Sequence, residues 1–144
     1  LREDLTGVDE LFISFTIRVN TLPSASPRIA QISNSGSTVG ELLLTSAGKL
    51  RLRNGGTTIG GDSTALVVGQ LYRVGLHQKA SSSGGAILEA YVTPAGSSFG
   101  TPFAASTTQT FAASQATRFN LGATNNTLVS MTVDDIRLDS HMMP

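Results

Sequence analysis

The chain has 144 residues, of which 40% are hydrophobic and 14% are charged, a length suited to one domain with its own packed core. It contains no cysteine, which excludes disulfide scaffolds, cysteine-ligated metal sites and cysteine nucleophiles. Ten Lys and Arg residues balance ten Asp and Glu residues. Without a basic excess that could hold a phosphate backbone, we expect no nucleic-acid partner.

The two ends of the chain carry no targeting signal that we recognise. No apolar run approaches the roughly 20 residues that span a bilayer, and the first residues lack the charged-then-apolar order of a signal peptide. We therefore expect no membrane span.

The chain begins at Leu1 and ends at Pro144 in a segment without turn or strand character. We interpret residues 1–140 as a single domain and 141–144 as a tail or the start of a linker, within a longer polypeptide.

The first clear element is a strand over Leu11–Val19. Apolar residues occupy its odd positions and polar residues most of its even ones, the period of two that is typical of a half-buried strand. Pro23 and Pro27 interrupt the pattern, because proline cannot donate a backbone hydrogen bond. A short strand over Arg28–Ser33 follows.

The next two segments form the best hairpin in the sequence. Glu41–Thr45 and Lys49–Arg53 are joined through Ser46–Gly48, where glycine supplies the positive φ that the turn needs. Leu50 and Leu52 then face inward. The pattern predicts an antiparallel pair.

A second pair of strands is predicted over Leu71–Lys79 and Ala86–Val92. Both alternate apolar and polar residues, and the polar segment Ser81–Gly85 between them reads as a flexible connector. In this register His77 points outward, so we interpret it as a solvated strand residue.

The last third of the chain is harder to assign. We expect a long loop over Thr93–Ala116 with one weak strand around Thr110, then strands over Arg118–Leu121 and Ser130–Asp139. The apolar alternation in the last strand changes phase at Asp134–Asp135. A change of phase by one residue is typical of a β-bulge.

No window of 11–18 residues carries a sustained helical stripe, and short strands alternate with turn signals. We therefore predict an all-β protein, a two-sheet antiparallel β-sandwich of the jelly-roll type. The predicted core consists of Ile13, Phe15, Ile17, Leu50, Leu52, Tyr72, Val74, Leu76, Leu121, Ile136 and Leu138.

The order of several segments is also familiar. These segments are Phe15–Val19, Leu22–Pro23, Arg28–Ile32, Gly48–Gly55, Gly69–Val74 and Val133–Leu138. Together they resemble the laminin G-like, concanavalin A-like jelly-roll domains, similar to those in bacterial surface proteins and actinobacteriophage minor tail proteins. The resemblance implies two antiparallel sheets in which the first and last strands are neighbours. It leaves function open, because this fold hosts lectins, glucanases, adhesion domains and spacers.

We expect no catalytic residues. The glucanases of this fold carry several acidic residues on one strand, because retaining hydrolysis needs two carboxyl groups about 5–5.5 Å apart. Here Glu89 is the lone acidic residue of its strand. The histidines, His77 and His141, stand near no nucleophile motif. We therefore predict that the chain is not an enzyme.

The adjacent carboxylates Asp134 and Asp135 are the most interesting polar pair. Calcium takes 6–8 oxygen ligands and is held by aspartates in some relatives of this fold, so these two residues are metal-ligand candidates. A structural role is the preferred interpretation, in which an aspartate accepts backbone N–H groups at the bulge or pairs with Arg137 or Arg18. We therefore expect no cofactor, with calcium as the alternative.

Carbohydrate binding normally relies on exposed aromatic rings, and this chain has six Phe, two Tyr and no Trp. Tyr91 and Phe12 are the two rings that we expect to be free for stacking on a glycan. The sequence Asn125–Thr127 matches a glycosylation acceptor, which matters only in a eukaryotic secretory pathway.

Two functions follow as hypotheses. The first is a non-catalytic interaction module of a larger assembly, a phage virion or a bacterial surface protein. It would contact other proteins through sheet edges and the loops Asn54–Asp62, Ser81–Gly85 and Gly96–Thr110. The alternative is a lectin-like, carbohydrate-binding module that attaches its parent protein to a cell-surface glycan. Either function places the domain outside the cell or on a virion surface.

Overall fold

Two antiparallel sheets pack face to face in the computed structural model, which describes residues 1–109, 114–123 and 128–141. One sheet has six strands in the order β1-β10-β3-β4-β5-β6, and the other has five in the order β11-β2-β7-β8-β9. The all-β sandwich is confirmed. The strands are β1 (Arg2–Val8), β2 (Glu10–Thr21), β3 (Arg28–Asn34), β4 (Ser37–Leu44), β5 (Leu50–Asn54), β6 (Thr57–Ile59), β7 (Leu71–Lys79), β8 (Ala86–Pro94), β9 (Ala104–Gln109), β10 (Ala116–Leu121) and β11 (Ser130–Asp139).

The core lies between the sheets and is built from the alternating apolar residues of both. Phe15 of β2 and Phe119 of β10 are fully buried within it. Eight of the predicted core residues are buried there, and two more, Tyr72 and Leu138, are partly buried against it. The eight are Ile13, Phe15, Ile17, Leu50, Leu52, Val74, Leu76 and Leu121.

The predicted bulge in the last strand is confirmed, but the prediction that Ile136 lies in the core is wrong. The register passes from Asp134 opposite Thr16 to Arg137 opposite Ser14, so β11 has one residue more than β2 in this interval. Ile136 is 37% exposed as a result of this irregular stretch. β11 pairs with β2, which confirms that the first and last predicted strands are neighbours in one sheet.

The predicted hairpin is also confirmed, as β4 and β5. Leu44 pairs with Leu50, and the Gly48 amide donates to the Thr45 carbonyl at 2.9 Å. Gly48 has a φ of 73°, which explains glycine at this turn position. Ser81–Gly85 is the expected connector between β7 and β8.

Three strands were missed. β1 is polar and lacks an apolar alternation, β6 has three residues, and β9 lies within the segment that we expected to be mostly loop. Their pairing with neighbouring strands, rather than side-chain pattern, defines them. The expected weak strand at Thr110, the acceptor sequence Asn125–Thr127 and residues 142–144 lie outside the described residues.

Across the three described stretches, no helix is long and apolar enough to cross a membrane.

Candidate ligand-binding face

The outer face of the five-stranded sheet brings together polar and aromatic side chains from neighbouring strands. Because side chains alternate along a strand and paired residues share a face, three rows cross β2, β7 and β8 on this side. The rows are Thr16–Arg73–Thr93, Ser14–Gly75–Tyr91 and Phe12–His77–Glu89.

His77 is the centre of a hydrogen-bonded cluster, and its interpretation as a solvated residue is wrong. Its side chain is 9% exposed. Nδ1 lies 2.9 Å from Glu89 Oε2, and Nε2 lies 3.0 Å from Glu10 Oε1. The Phe12 ring stacks on the imidazole with a centroid distance of 4.0 Å and an interplanar angle of 10°. The outward direction was right, but neighbouring side chains cover the ring.

The sequence suggested that Glu89 has no acidic neighbour, but the fold brings Glu10 to the other side of His77. Lys79 Nζ lies 3.2 Å from Glu10 Oε2. Partial burial raises the pKa of Glu10, but the hydrogen bonds with His77 and Lys79 and the electrostatic attraction to them together hold it below its ordinary value. The imidazole ring occupies the space between the two carboxylates, where a hydrolase would need to place its substrate.

Tyr91 is part of the same cluster and is not free to stack, contrary to the expectation from sequence. It is 6% exposed, and its hydroxyl donates to Glu89 Oε2 at 2.6 Å. Burial raises the pKa of Tyr91 well above its ordinary value, and the contact with the Glu89 carboxylate adds to the effect. The phenol therefore stays protonated and acts as a donor. Phe12, the other stacking candidate, is half-buried against His77.

Phe99 reaches this face from the loop between β8 and β9. Its ring centroid lies 5.6 Å from that of Tyr91, and the Arg73 guanidinium carbon lies 4.5 Å from its centroid. A Cβ at Gly75 would come within 2.8 Å of the Phe99 ring. Glycine at position 75 is therefore what allows the ring to lie on the sheet.

A polar groove with a volume of about 570 Å³ runs beside Phe99, between the 96–98 loop and β11. Its floor is formed by side chains of β2 and β7. Hydroxyl, guanidinium and carboxylate groups are all represented. The polar side chains that line it are Thr16, Arg73, Ser97, Ser98, Asp135, Arg137 and Asp139.

The bulge shapes one wall of this groove. Asp135 has a φ of 49°, in the left-handed region that side chains disfavour. Its amide donates to Asp134 Oδ1 at 2.8 Å, and its Oδ1 accepts from Arg137 Nε at 3.0 Å. The Thr16 hydroxyl donates to the Asp134 carbonyl at 3.0 Å, which ties the bulge to β2.

Both metal-ligand candidates thus have contacts within the protein. Asp134 accepts a backbone N–H group and Asp135 pairs with Arg137. In the part of the chain that the structure describes, no group of three or more histidines and acidic residues is placed to hold a metal ion.

Sequence reasoning missed Glu10, Arg73, Gly75 and Phe99 as parts of one face. For Gly75 a signal existed, since a glycine inside an alternating strand often marks the close approach of another group. Glu10 and Phe99 carry no such signal, because their positions depend on strand register and on the path of a loop.

No protein-family model matches the sequence, and no curated protein matches it. Solved structures do match. A mutant of Trypanosoma rangeli sialidase displaying trans-sialidase activity has 14% identity and a TM-score of 0.64, over 94% of this chain and 21% of the sialidase. This chain thus spans about a fifth of that protein.

Two further structures match over most of their own length. The heptameric SAP-like pentraxin of Limulus polyphemus has 15% identity and a TM-score of 0.58, over 95% of this chain and 67% of the pentraxin. The PL-14 alginate lyase of Aplysia kurodai has 8% identity and a TM-score of 0.62, over 94% and 71%. At such identities the likeness concerns the fold, a concanavalin A-like jelly-roll β-sandwich.

Proposed function

We propose that the chain is a non-catalytic, carbohydrate-binding module that attaches its parent protein to a cell-surface glycan. The observation that carries the proposal is the polar groove on the five-stranded sheet. Sugars present many hydroxyl groups, and the groove offers hydroxyl, guanidinium and carboxylate partners at once. The Phe99 ring lies beside the groove on the same face, with Arg73 over it.

The backbone of Asp135 adds support. A non-glycine residue in the left-handed region costs about 1 kcal/mol, and such strain tends to persist where function retains it. Asp135 and Ser35 are the two described non-glycine residues with a positive φ, and of these Asp135 lines the groove. We infer that Asp135 is kept to present its carboxylate to the ligand.

A binding role also agrees with the Glu10–His77–Glu89 cluster. With the imidazole between them, the two carboxylates hold the ring and the Tyr91 hydroxyl instead of a glycosidic bond. The similarity of strand motifs to laminin G-like domains supports a location outside the cell or on a virion surface.

The test is a glycan array probed with the wild type, Arg137→Ala and Asp135→Gly. Arg137→Ala should weaken binding by about tenfold, the usual effect of losing a charge-assisted hydrogen bond. Asp135→Gly should weaken binding while raising stability, because glycine relieves the strain. Arg28→Ala, a partly buried ion-paired arginine on the six-stranded sheet, is the matched control. An array without hits, or equal losses with Arg137→Ala and Arg28→Ala, would refute the proposal.

One observation favours a second function, docking to proteins of a larger assembly. Leu22, Val67, Val68 and Leu71 are 40–53% exposed and lie at one end of the sandwich, where Leu71 pairs with Arg18 and the Gly69 amide donates to Val19. Exposed apolar clusters mark protein contacts. Copurification in an ordered assembly that is lost with Val67→Ser and Leu71→Ser, together with an empty array, would favour this function.

A further inference from the structure

A depression lies in the middle of the outer face of the five-stranded sheet. Its floor is made by Ser14 and Gly75, which pair across β2 and β7 and have the smallest side chains on this part of the face. Tyr91 pairs with Gly75 from the other side, and Phe12 precedes Ser14 on the same face of β2. Two aromatic side chains therefore border a hollow whose floor is mostly backbone.

The ring of Phe99 occupies this hollow. Three of its ring carbons lie 2.8–3.2 Å from the position of a Cβ on Gly75, so the ring lies directly over the glycine. Arg73 covers the ring with its guanidinium carbon 4.5 Å from the centroid. A flat six-membered group thus sits in contact with Tyr91 and beneath an arginine, the surroundings in which proteins stack ligand rings.

The segment that carries Phe99 has few other attachments. The Ala95 amide donates to Leu71, the Ser97 amide donates to Pro94, and the Phe103 amide donates to Ala90. Between Ser97 and Phe103, the described residues show no further backbone hydrogen bond to another described residue. Gly96, Ser97, Ser98 and Gly100 are exposed. Phe99 is therefore the side chain that holds this segment on the sheet.

We propose that the hollow beneath Phe99 is a subsite for the apolar face of a pyranose ring, which Phe99 occupies while no ligand is bound. Arg73 lies over the Phe99 ring and also lines the polar groove, so the hollow lies next to the groove. A glycan lying in the groove places its next ring over Gly75, against Tyr91, once Phe99 swings out. The proposal rests on the proposed function and adds a subsite and its control by the loop.

Displacing Phe99 costs free energy, which lowers the apparent affinity by the fraction of molecules that are open. Removing the ring removes that cost. Phe99→Ala should therefore bind a monosaccharide more tightly than the wild type does. Adding Gly75→Ala should abolish the gain, because the new Cβ fills the floor of the hollow.

The experiment is an amide NMR titration of the wild type, Phe99→Ala, Phe99→Ser and Phe99→Ala/Gly75→Ala. The probes are the methyl β-pyranosides of glucose, galactose and xylose. We expect the amides of Ser14, Gly75 and Tyr91 to shift in both single variants, with an affinity at least about fivefold above that of the wild type. The double variant should show no such shifts.

The proposal is overturned if neither single variant shifts these amides with any of the three probes, or if the double variant binds as well as Phe99→Ala. Its failure is distinct from failure of the proposed function. If the wild type binds the glycan array, Arg137→Ala weakens that binding and Phe99→Ala changes nothing, then the subsite is refuted but the proposed function is not. An array without hits refutes the proposed function, and the NMR titration then tests separately whether the hollow binds a pyranose.

Discussion

The two outer faces of the sandwich are built by different means. On the six-stranded sheet, charged residues of neighbouring strands form partly exposed ion pairs, Arg28 and Arg53 with Glu41 and Arg118 with Asp4. Arg51 of β5 pairs with Asp62, which follows β6. On the five-stranded sheet, the polar groups form a nearly buried cluster around His77, and a loop lays an aromatic ring across the face.

The difference underlies our proposal that the five-stranded sheet carries the binding site. Partly exposed ion pairs contribute little free energy, because solvent screens the charges that make them. The second face combines nearly buried polar groups, aromatic rings and a polar groove of about 570 Å³, against a groove of about 220 Å³ beside Arg28 on the first face. Four predictions examine this contrast.

The largest effects should come from the core, which the two sheets share equally. Phe15→Ala and Phe119→Ala each should lower the free energy of unfolding by about 3–5 kcal/mol, because both side chains are fully buried. Urea denaturation of the two variants measures the loss. A loss below about 1 kcal/mol at either position would mean that its sheet is not packed as described.

His77→Ala should lower the free energy of unfolding by about 2–3 kcal/mol, because it leaves Glu10 and Glu89 facing each other without their shared partner. Arg28→Ala, which also removes a partner of a glutamate, should lower it by less than about 1 kcal/mol. If denaturant titrations show equal losses of stability for His77→Ala and Arg28→Ala, the two faces do not differ in this respect.

Gly75→Ala should lower the free energy of unfolding by about 1–2 kcal/mol, because its Cβ collides with the Phe99 ring. In a Phe99→Ala background the same change should cost nothing or stabilise, since alanine restricts the unfolded chain more than glycine does. A double-mutant cycle measures the coupling. Additive effects would contradict the contact between Phe99 and Gly75.

The smallest effect concerns Asp62 on the six-stranded side. The hydrogen-bonded Arg51 guanidinium lowers the pKa of Asp62 below its ordinary 3.8, against a smaller opposing effect of burial. The pair therefore stabilises the fold at pH above about 4, and the contribution is lost as pH falls through the lowered pKa. Asp62→Asn should lower stability by less than about 1 kcal/mol at pH 7.

The difference in stability between the wild type and Asp62→Asn should shrink as pH falls through the lowered pKa of Asp62, as measured by urea denaturation over a series of decreasing pH values. A difference that grows on acidification would mean that Asp62 is not paired in the folded chain.

Much of the fold could be predicted because it rests on local patterns. The alternation in β2, β7 and β8 fixed which residues face the core, and the phase change at Asp134–Asp135 located the bulge. The prediction for Ile136 was wrong because counting positions does not show how a bulge turns the residue next to it. β1 was missed because its edge position depends on pairing with β10.

The amino-acid sequence by itself determined an all-β sandwich and its inner faces, because these follow from the period of the apolar residues and from turn chemistry. Only the tertiary structure decided the candidate site. Glu10 and Glu89 meet at His77 through the registers of β2, β7 and β8, and Phe99 reaches Gly75 through a loop whose path no local pattern encodes. Register and loop path are set by contacts distant in sequence, so they appear only once the chain has folded.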